Sequence, residues 1–219
     1  MTAQAELDRF VHPDRVVIRP LTAADGEAYR RLRQHILDSG EGKFFSSSYI
    51  MEQHLTSEDQ WREQCAETPM RCTIGVFVEA ELAGIMGILP HGDPSNLTAE
   101  WIATWIAPKY RGSGITGQAY KKVREWSRNH GYRYAVGDIR ADNTRSREIR
   151  EKQGAMYLFT RRNVTWADGS TADAHFFILN LLPGEETSRS VGQAVAFLEA
   201  ALAFVKHEQR ADATAGVEA

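Results

Sequence analysis

Apolar and polar positions alternate along this chain in two rhythms, one near two residues and one near 3.6, and the changes of rhythm divide it into elements. Val16–Arg19 reads as a short strand ended by Pro20, and the spacing over Ala23–Asp38 predicts a helix that Ser39-Gly40-Glu41-Gly42 breaks. A loop carrying Phe44 and Phe45 runs to Ser48. Ser57-Glu-Asp-Gln60 has the form of a capping box and opens a second helix, through Glu67. Cys72–Val78 and Ala83–Leu89 predict an antiparallel pair joined near Glu79–Glu81, and His91–Asn96 is a polar loop. Thr98–Ile106 is apolar on both faces, as a central strand is: Trp101, Ala103 and Trp105 alternate with Ile102 and Ile106.

A helix from Ser113 to near Asn129 follows, with Ile115, Ala119, Val123 and Trp126 as its core face. Lys121, Lys122, Arg124 and Arg128 lie elsewhere on it, which reads as a solvated basic face before it reads as a phosphate contact. Gly131 stops that helix, Tyr134–Ile139 is a strand, and Ala141–Gln153 is a helix stopped by Gly154. Ala155–Arg162 and Ala174–Leu182 flank an Asp168-Gly169 turn and predict an antiparallel pair. Beyond them, Ser190-x-x-Gln193 opens an amphipathic segment whose stripe is Val191, Val195, Leu198, Leu202 and Val205, widened by Phe197 and Phe204. The pattern predicts a helix packed on its own domain or across a homodimer interface, then a disordered end from Gln209.

Between strand Thr98–Ile106 and its helix lies Ile-Ala-Pro-Lys-Tyr-Arg111-Gly112-Ser113-Gly114-Ile115-Thr116-Gly117. A glycine-rich entry to a helix presents unpaired N–H groups and the positive end of the macrodipole, so it is a ready anion site. Read as G-x-G-x-x-G, with Asp138 about twenty residues on, it matches a dinucleotide fingerprint. That reading is weak, because Pro108-Lys109-Tyr110-Arg111 interrupts the apolar run that should reach the first glycine.

The same stretch resembles the pyrophosphate loop of the GNAT acetyltransferase superfamily, Arg or Gln followed by x-x-Gly-x-Gly/Ala; Thr116 stands here where glycine or alanine is usual. Asp142-Asn143 through Glu151-Lys-Gln-Gly154 is similar to the family's segment of Asn, a short helix and Glu-Lys-x-Gly. The resemblance implies an α/β (α+β) fold, a mixed and largely antiparallel central sheet flanked by helices, with the C-terminal helix as an extra. It covers residues 16–182, leaving 1–15 as an N-terminal extension, 183–208 as the appended helix and 209–219 as a disordered tail. It implies acetyl-CoA held by Ile106, Ala107, Arg111, Gly112, Ser113, Gly114, Ile115 and Thr116, with Asn143 and Ser146 beside the pantetheine. Asn143 read alone is a helix cap. A backbone N–H near Ile106–Ala107 would meet the thioester oxygen, and Phe44, Phe45 and Trp61 would line the acceptor pocket or else pack in the core.

Moving an acetyl group to an amine needs a proton acceptor, because an amine of pKa about 10.4 is over about 99.9% protonated at pH 7. Glu100 is the candidate: it shares a strand face with Ile102 and Ile106 and stands where some family members carry their general base. A structural carboxylate paired with an arginine is the competing reading. Arg150 occupies the position where many family members place a general-acid tyrosine; it cannot donate a proton at neutral pH, but it can stabilise a departing thiolate.

Composition excludes more than it selects. A chain of 219 residues, 42% hydrophobic and 25% charged, is an ordinary globular protein, and a formal charge of −3 gives no reason to expect nucleic acid or a membrane as partner. Cys65 and Cys72 suggest no disulfide framework, no apolar leader is visible in Met1–Phe10, and the cytoplasm is the expected compartment. His91 and Asp93 read as a turn, with no metal expected. The expected activity is acetyl-CoA-dependent N-acetyl transfer to a small amine or an amino group of a larger acceptor. A noncatalytic acyl-CoA-binding module is the alternative.

Overall fold

A computed structural model describes residues 15–45, 57–92, 97–182 and 199–206. The expectations for residues 1–14, for Ser46–Ser48, for Asp93–Asn96, for the Ser190–Gln193 box with Val191, Val195, Phe197 and Leu198, and for the tail from Gln209 lie outside the described residues.

Among the described residues seven strands form one sheet in the order β1-β2-β3-β4-β5-β7-β6. They are β1 (Val16–Pro20), β2 (Cys72–Val78), β3 (Glu81–Pro90), β4 (Thr98–Ile106), β5 (Tyr134–Arg140), β6 (Met156–Thr165) and β7 (Thr171–Asn180). The helices are α1 (Gly26–Asp38), α2 (Glu58–Cys65), α3 (Ile115–Asn129), α4 (Thr144–Lys152) and α5 (199–206). Strands β4 and β5 run parallel and every other described pairing is antiparallel. This is the mixed, largely antiparallel sheet flanked by helices that the sequence leads one to expect.

Local chemistry sets several of the boundaries. The Ser57 side chain accepts from the Gln60 backbone N–H while the Gln60 side-chain Oε1 accepts from the Ser57 N–H, a complete capping box. The β6–β7 turn closes on Gly169 at φ 77°, a left-handed conformation that glycine adopts without strain.

Burial sorts the helices by face. Ile115, Ala119, Tyr120, Val123 and Trp126 of α3 pack with Ile74, Ile88, Ala99, Trp101 and Ala135, and Ile149 of α4 joins the same side. On the opposite face, α1 and α2 cover Phe77, Leu82, Ile85 and Trp105, while Ala201 and Phe204 of α5 cover Tyr134, Val136, Phe176 and Ile178. The basic side of α3 is not simply solvated: Arg124 donates to the carbonyls of Asn180 and Gln153, and Arg128 to that of Leu181, tying the helix to the end of β7.

Strand β4 departs from the alternation expected of it. Trp101 and Ile106, five positions apart, lie in the same cluster, whereas a regular strand would put them on opposite faces. The cause is a bulge: the register with β3 shifts between Ile85 and Gly87, and Ala103 opposite the shift has φ 50°. Glu100 therefore shares its face with Ile102 but not with Ile106, which corrects the expected grouping of the three.

Phe204 lies 4.8 Å from His91, 5.9 Å from Phe176 and 6.2 Å from Phe159 between ring centroids, and is 5% exposed. Replacing it with alanine should cost about 1–3 kcal/mol, below the usual figure for a buried phenylalanine because a terminal helix can detach locally. Thermal melting checks this; an unaltered midpoint would show that α5 contributes nothing to the domain.

Candidate active site

The β4–β5 pairing stops early. Its register runs Thr98↔Tyr134, Ala99↔Ala135, Glu100↔Val136 and goes no further, although both strands continue. Beyond that point the strands diverge and a cleft of about 750 Å³ opens between them, bordered by the bulged part of β4, the turn before α3, and α4. Gly137 stands at the fork. A Cβ there would lie 2.8 Å from the Trp101 carbonyl oxygen and 3.2 Å from Arg150 Nη2, so a side chain would wedge the strands apart.

One end of the cleft is the glycine turn. After a 3₁₀ turn at Pro108–Tyr110, Gly112 and Gly114 take φ 84° and 87°, and Gly114 is the N-cap of α3. A Cβ built at Gly112, Gly114 or Gly117 would find nothing within 4 Å, so open space lies over this backbone. The Ser113 hydroxyl donates to the Tyr110 carbonyl at 2.7 Å, which holds the turn in shape and leaves its side chain off the ligand side. The first N–H groups of α3 point into this space without intrahelical partners. An anion fits here, and the group the turn suits is a pyrophosphate.

Arg111 borders the cleft, and its side chain is also held from within the protein. Its fork binds Glu41 through two 2.7 Å bonds, its Nε donates to the Ile106 carbonyl at 2.8 Å, and it stands over the Trp105 ring. Trp105 Nε1 donates to the same Glu41 carboxylate. The arginine thus pins the loop carrying Phe44 and Phe45 to the end of β4, and its hydrogen bonds hold the Glu41 carboxyl below the usual carboxylate range.

The backbone donors separate as well. Ala107 N–H is spent on the Ala83 carbonyl at 2.8 Å, so it is not available to an oxyanion. By the antiparallel alternation the Ile106 N–H points to the other edge of β4, where β5 has left. Of the two, Ile106 is the donor that faces the cleft. Nearby, the buried Thr104 hydroxyl has no hydrogen-bond partner among the described residues, although Thr104 borders the cleft. A buried polar atom left unmatched beside a cavity suits a polar ligand better than an apolar filling.

From α4, Asn143, Ser146, Ile149 and Arg150 border the cleft on one face, at the helical spacing read from the sequence. Asn143 is also the cap of α4, its Oδ1 accepting from the Ser146 N–H at 3.1 Å. Arg150 is 7% exposed, donates Nη2 to the Trp101 carbonyl at 3.0 Å, and lies 6.0 Å and 5.9 Å from the rings of Trp101 and Tyr120. It fills the fork between the strands with a fixed positive charge.

Phe44 and Phe45 border the far side of the cleft, but Trp61 does not. The phase of α2 turns Trp61 onto Tyr29 of α1, ring centroids 5.8 Å apart, and the residue is core. Glu100 lies on the α1/α2/α5 side of the sheet with its Oε2 3.5 Å from His91 Nδ1, and does not itself border the cleft. Asp138 does, and was noticed in the sequence only through the dinucleotide spacing. The signal for it was available, a lone carboxylate inside the apolar run Tyr134–Ile139. Burial pushes the Asp138 carboxyl up to about 6, the charge of Glu100 adds to the rise, and Arg150 and Arg161 oppose it.

Comparisons with known proteins agree with this fold. The profile of the Acetyltransferase (GNAT) family matches residues 37–155, more than half of the chain. No curated protein sequence matches. The acetyltransferase of GNAT family from Streptococcus pneumoniae is similar in fold at 16% identity and TM-score 0.63, over 75% of this chain and 98% of its own. RimL, the ribosomal L7/L12 alpha-N-protein acetyltransferase in complex with coenzyme A, is similar at 16% identity and TM-score 0.63, over 78% and 97%. The Salmonella typhimurium protein yncA, with its cofactor acetyl-CoA, follows at 14% identity and TM-score 0.61, over 80% and 99%.

Proposed function

Because this chain belongs to the GNAT family of acetyltransferases, we propose that it carries an acetyl group from acetyl-CoA to an amine, on a small molecule or on an amino group of a larger acceptor, by direct attack. The observation that carries this reading is the fork where β4 and β5 part, with a glycine-lined helix N-terminus at one end and the Asp138 carboxylate on its border.

The residues fit acetyl-CoA, and two of the similar structures hold coenzyme A or acetyl-CoA, which supports the assignment. Gly112, Ser113, Gly114, Ile115 and Thr116 would hold the pyrophosphate through backbone N–H groups, and Asn143 and Ser146 would border the pantetheine. When bound, acetyl-CoA supplies an acyl group on a thioester that a neutral amine can open. The Ile106 N–H is placed to donate to a developing oxyanion. Arg150 holds a positive charge near the position where a thiolate would separate, and a thiol of pKa about 8.5 leaves without needing a proton from a tyrosine. Phe44 and Phe45 would flank the acceptor, while the carboxylates of Glu100 and Asp138 share the face from which it would lose its proton.

Among the described residues no helix is long and apolar enough to cross a membrane, and no group of His, Cys, Asp or Glu is arranged to hold a metal. Cys65 and Cys72 are free and buried, which supports a reducing, cytoplasmic setting. The burial of Ala201 and Phe204 on their own sheet favours the intramolecular role for the C-terminal helix over the homodimer contact.

The purified chain should bind acetyl-CoA in calorimetry and release free thiol from it in the presence of an accepted amine. Binding without thiol release across primary alkylamines, amino acids and short peptides with free N-termini would favour an acyl-CoA-binding module. Absence of binding would remove the proposal altogether.

A further inference from the structure

Strand β5 is apolar except at Asp138 until it reaches its last residue, Arg140. Tyr134 and Val136 face the cluster under α5, and Asp138 continues their side of the strand. Glu100 is the partner of Val136 in the last β4–β5 pair, so its side chain emerges on that same side. Two residues further along β5 there is no β4 partner left, and Asp138 stands at the mouth of the opening, on the border of the cleft. Glu100 sits one step back inside the paired region, against His91.

We infer that Asp138 is the general base of the reaction, taking the proton of the acceptor amine directly, and that Glu100 is a positioning residue acting through it. The assignment rests on the acetyl-transfer reading above. An acceptor ammonium entering past Phe44 and Phe45 gives one proton to an Asp138 oxygen. The freed lone pair forms the new N–C bond, the C–S bond breaks with its electron pair passing to sulfur, the second amine proton leaves nitrogen as the amide forms and reaches the thiolate through solvent, and Asp138 gives its own proton back to solvent. The sum is an ammonium and a thioester converted to an amide, a thiol and one proton.

The charges around Asp138 suit the task. Glu100 from β4 makes its ionisation harder, while Arg150 from α4 and Arg161 from β6 make it easier; His91, at the end of β3, faces Glu100 rather than Asp138. Burial is the largest influence and pushes the carboxyl up to about 6, which makes it more basic than an ordinary aspartate.

The test starts without any acceptor. The full chain, labelled with ¹³C at aspartate carboxyls, is titrated by NMR, with D138N identifying the resonance. A midpoint near 6 is expected, moving to lower pH in E100Q because a neighbouring negative charge is gone. With an amine found by the thiol-release screen, D138N should lower kcat on the order of 10²–10⁴-fold and abolish the acidic limb of the pH profile. Its acetyl-CoA affinity by calorimetry should match wild type, which separates lost chemistry from lost fold. E100Q should keep most of the turnover and shift the limb to lower pH. An Asp138 midpoint in the ordinary aspartate range overturns the inference, as does a collapse in E100Q with D138N nearly intact. If wild type releases no thiol with any amine, acetyl transfer itself falls, and this assignment with it; release by wild type with an unaltered D138N profile overturns this assignment alone.

Discussion

Replacing Gly114 with valine is expected to lower acetyl-CoA affinity by more than about 100-fold while leaving the far-UV circular dichroism close to wild type. Two separate penalties act at this position. Gly114 has φ 87°, and a β-branched residue forced there pays on the order of 1–2 kcal/mol or more in backbone strain. The new side chain meets no protein atom, since a Cβ at Gly114 has nothing within 4 Å. It projects instead into the space from which a pyrophosphate would approach the N–H groups of α3. Losing two hydrogen bonds to a charged ligand, each worth about 1.5–3 kcal/mol, already exceeds a factor of 100. Gly114→Ala, smaller and unbranched, should fall between the two. Calorimetry with acetyl-CoA decides it, and an affinity unchanged in Gly114→Val would mean that the turn does not hold the pyrophosphate.

The largest stability loss should come from Trp101→Ala, about 3–5 kcal/mol, a substantial part of the 5–15 kcal/mol that holds a typical domain together. Trp101 is 2% exposed and lies between the sheet and α3. Its Nε1 donates to Ser127 Oγ at 3.2 Å, and Ser127 is fully buried, so truncation leaves that hydroxyl unmatched as well as opening a cavity. The Trp101 ring also lies beside Arg150, whose guanidinium lies 6.0 Å from its centroid. Removing it loosens the charge that fills the fork, so turnover should fall along with stability. Trp101→Phe keeps most of the packing and forfeits mainly the hydrogen bond, for a cost of about 1–3 kcal/mol. Urea unfolding at unchanged m-value measures both. A loss under about 1 kcal/mol in the alanine variant would show that the seam between β4 and α3 closes over the gap.

What could be read from the chain was whatever is decided within a few residues. The capping box at Ser57, the left-handed glycines of the turn before α3, the Asp168-Gly169 hairpin and the apolar face of α3 are local preferences of backbone and side chain, and they appear in the fold as expected. The family resemblance worked for the same reason, because a helix N-terminus that cradles phosphate must be written in consecutive residues. Tertiary structure decided everything that depends on distant segments meeting. The bulge at Ala103 turned Ile106 to the other face, because the strand's pairing with β3, and not its own pattern, sets its register. Arg111 was claimed by Glu41, separated from it by 70 residues, and Ala107 N–H by Ala83. Trp61 went into the core because α1 lies under α2. The two carboxylates were visible as letters all along. Which of them borders the cleft depends on the residue at which two parallel strands stop pairing, a balance of sheet hydrogen bonds against the buried Arg150 that no local pattern encodes.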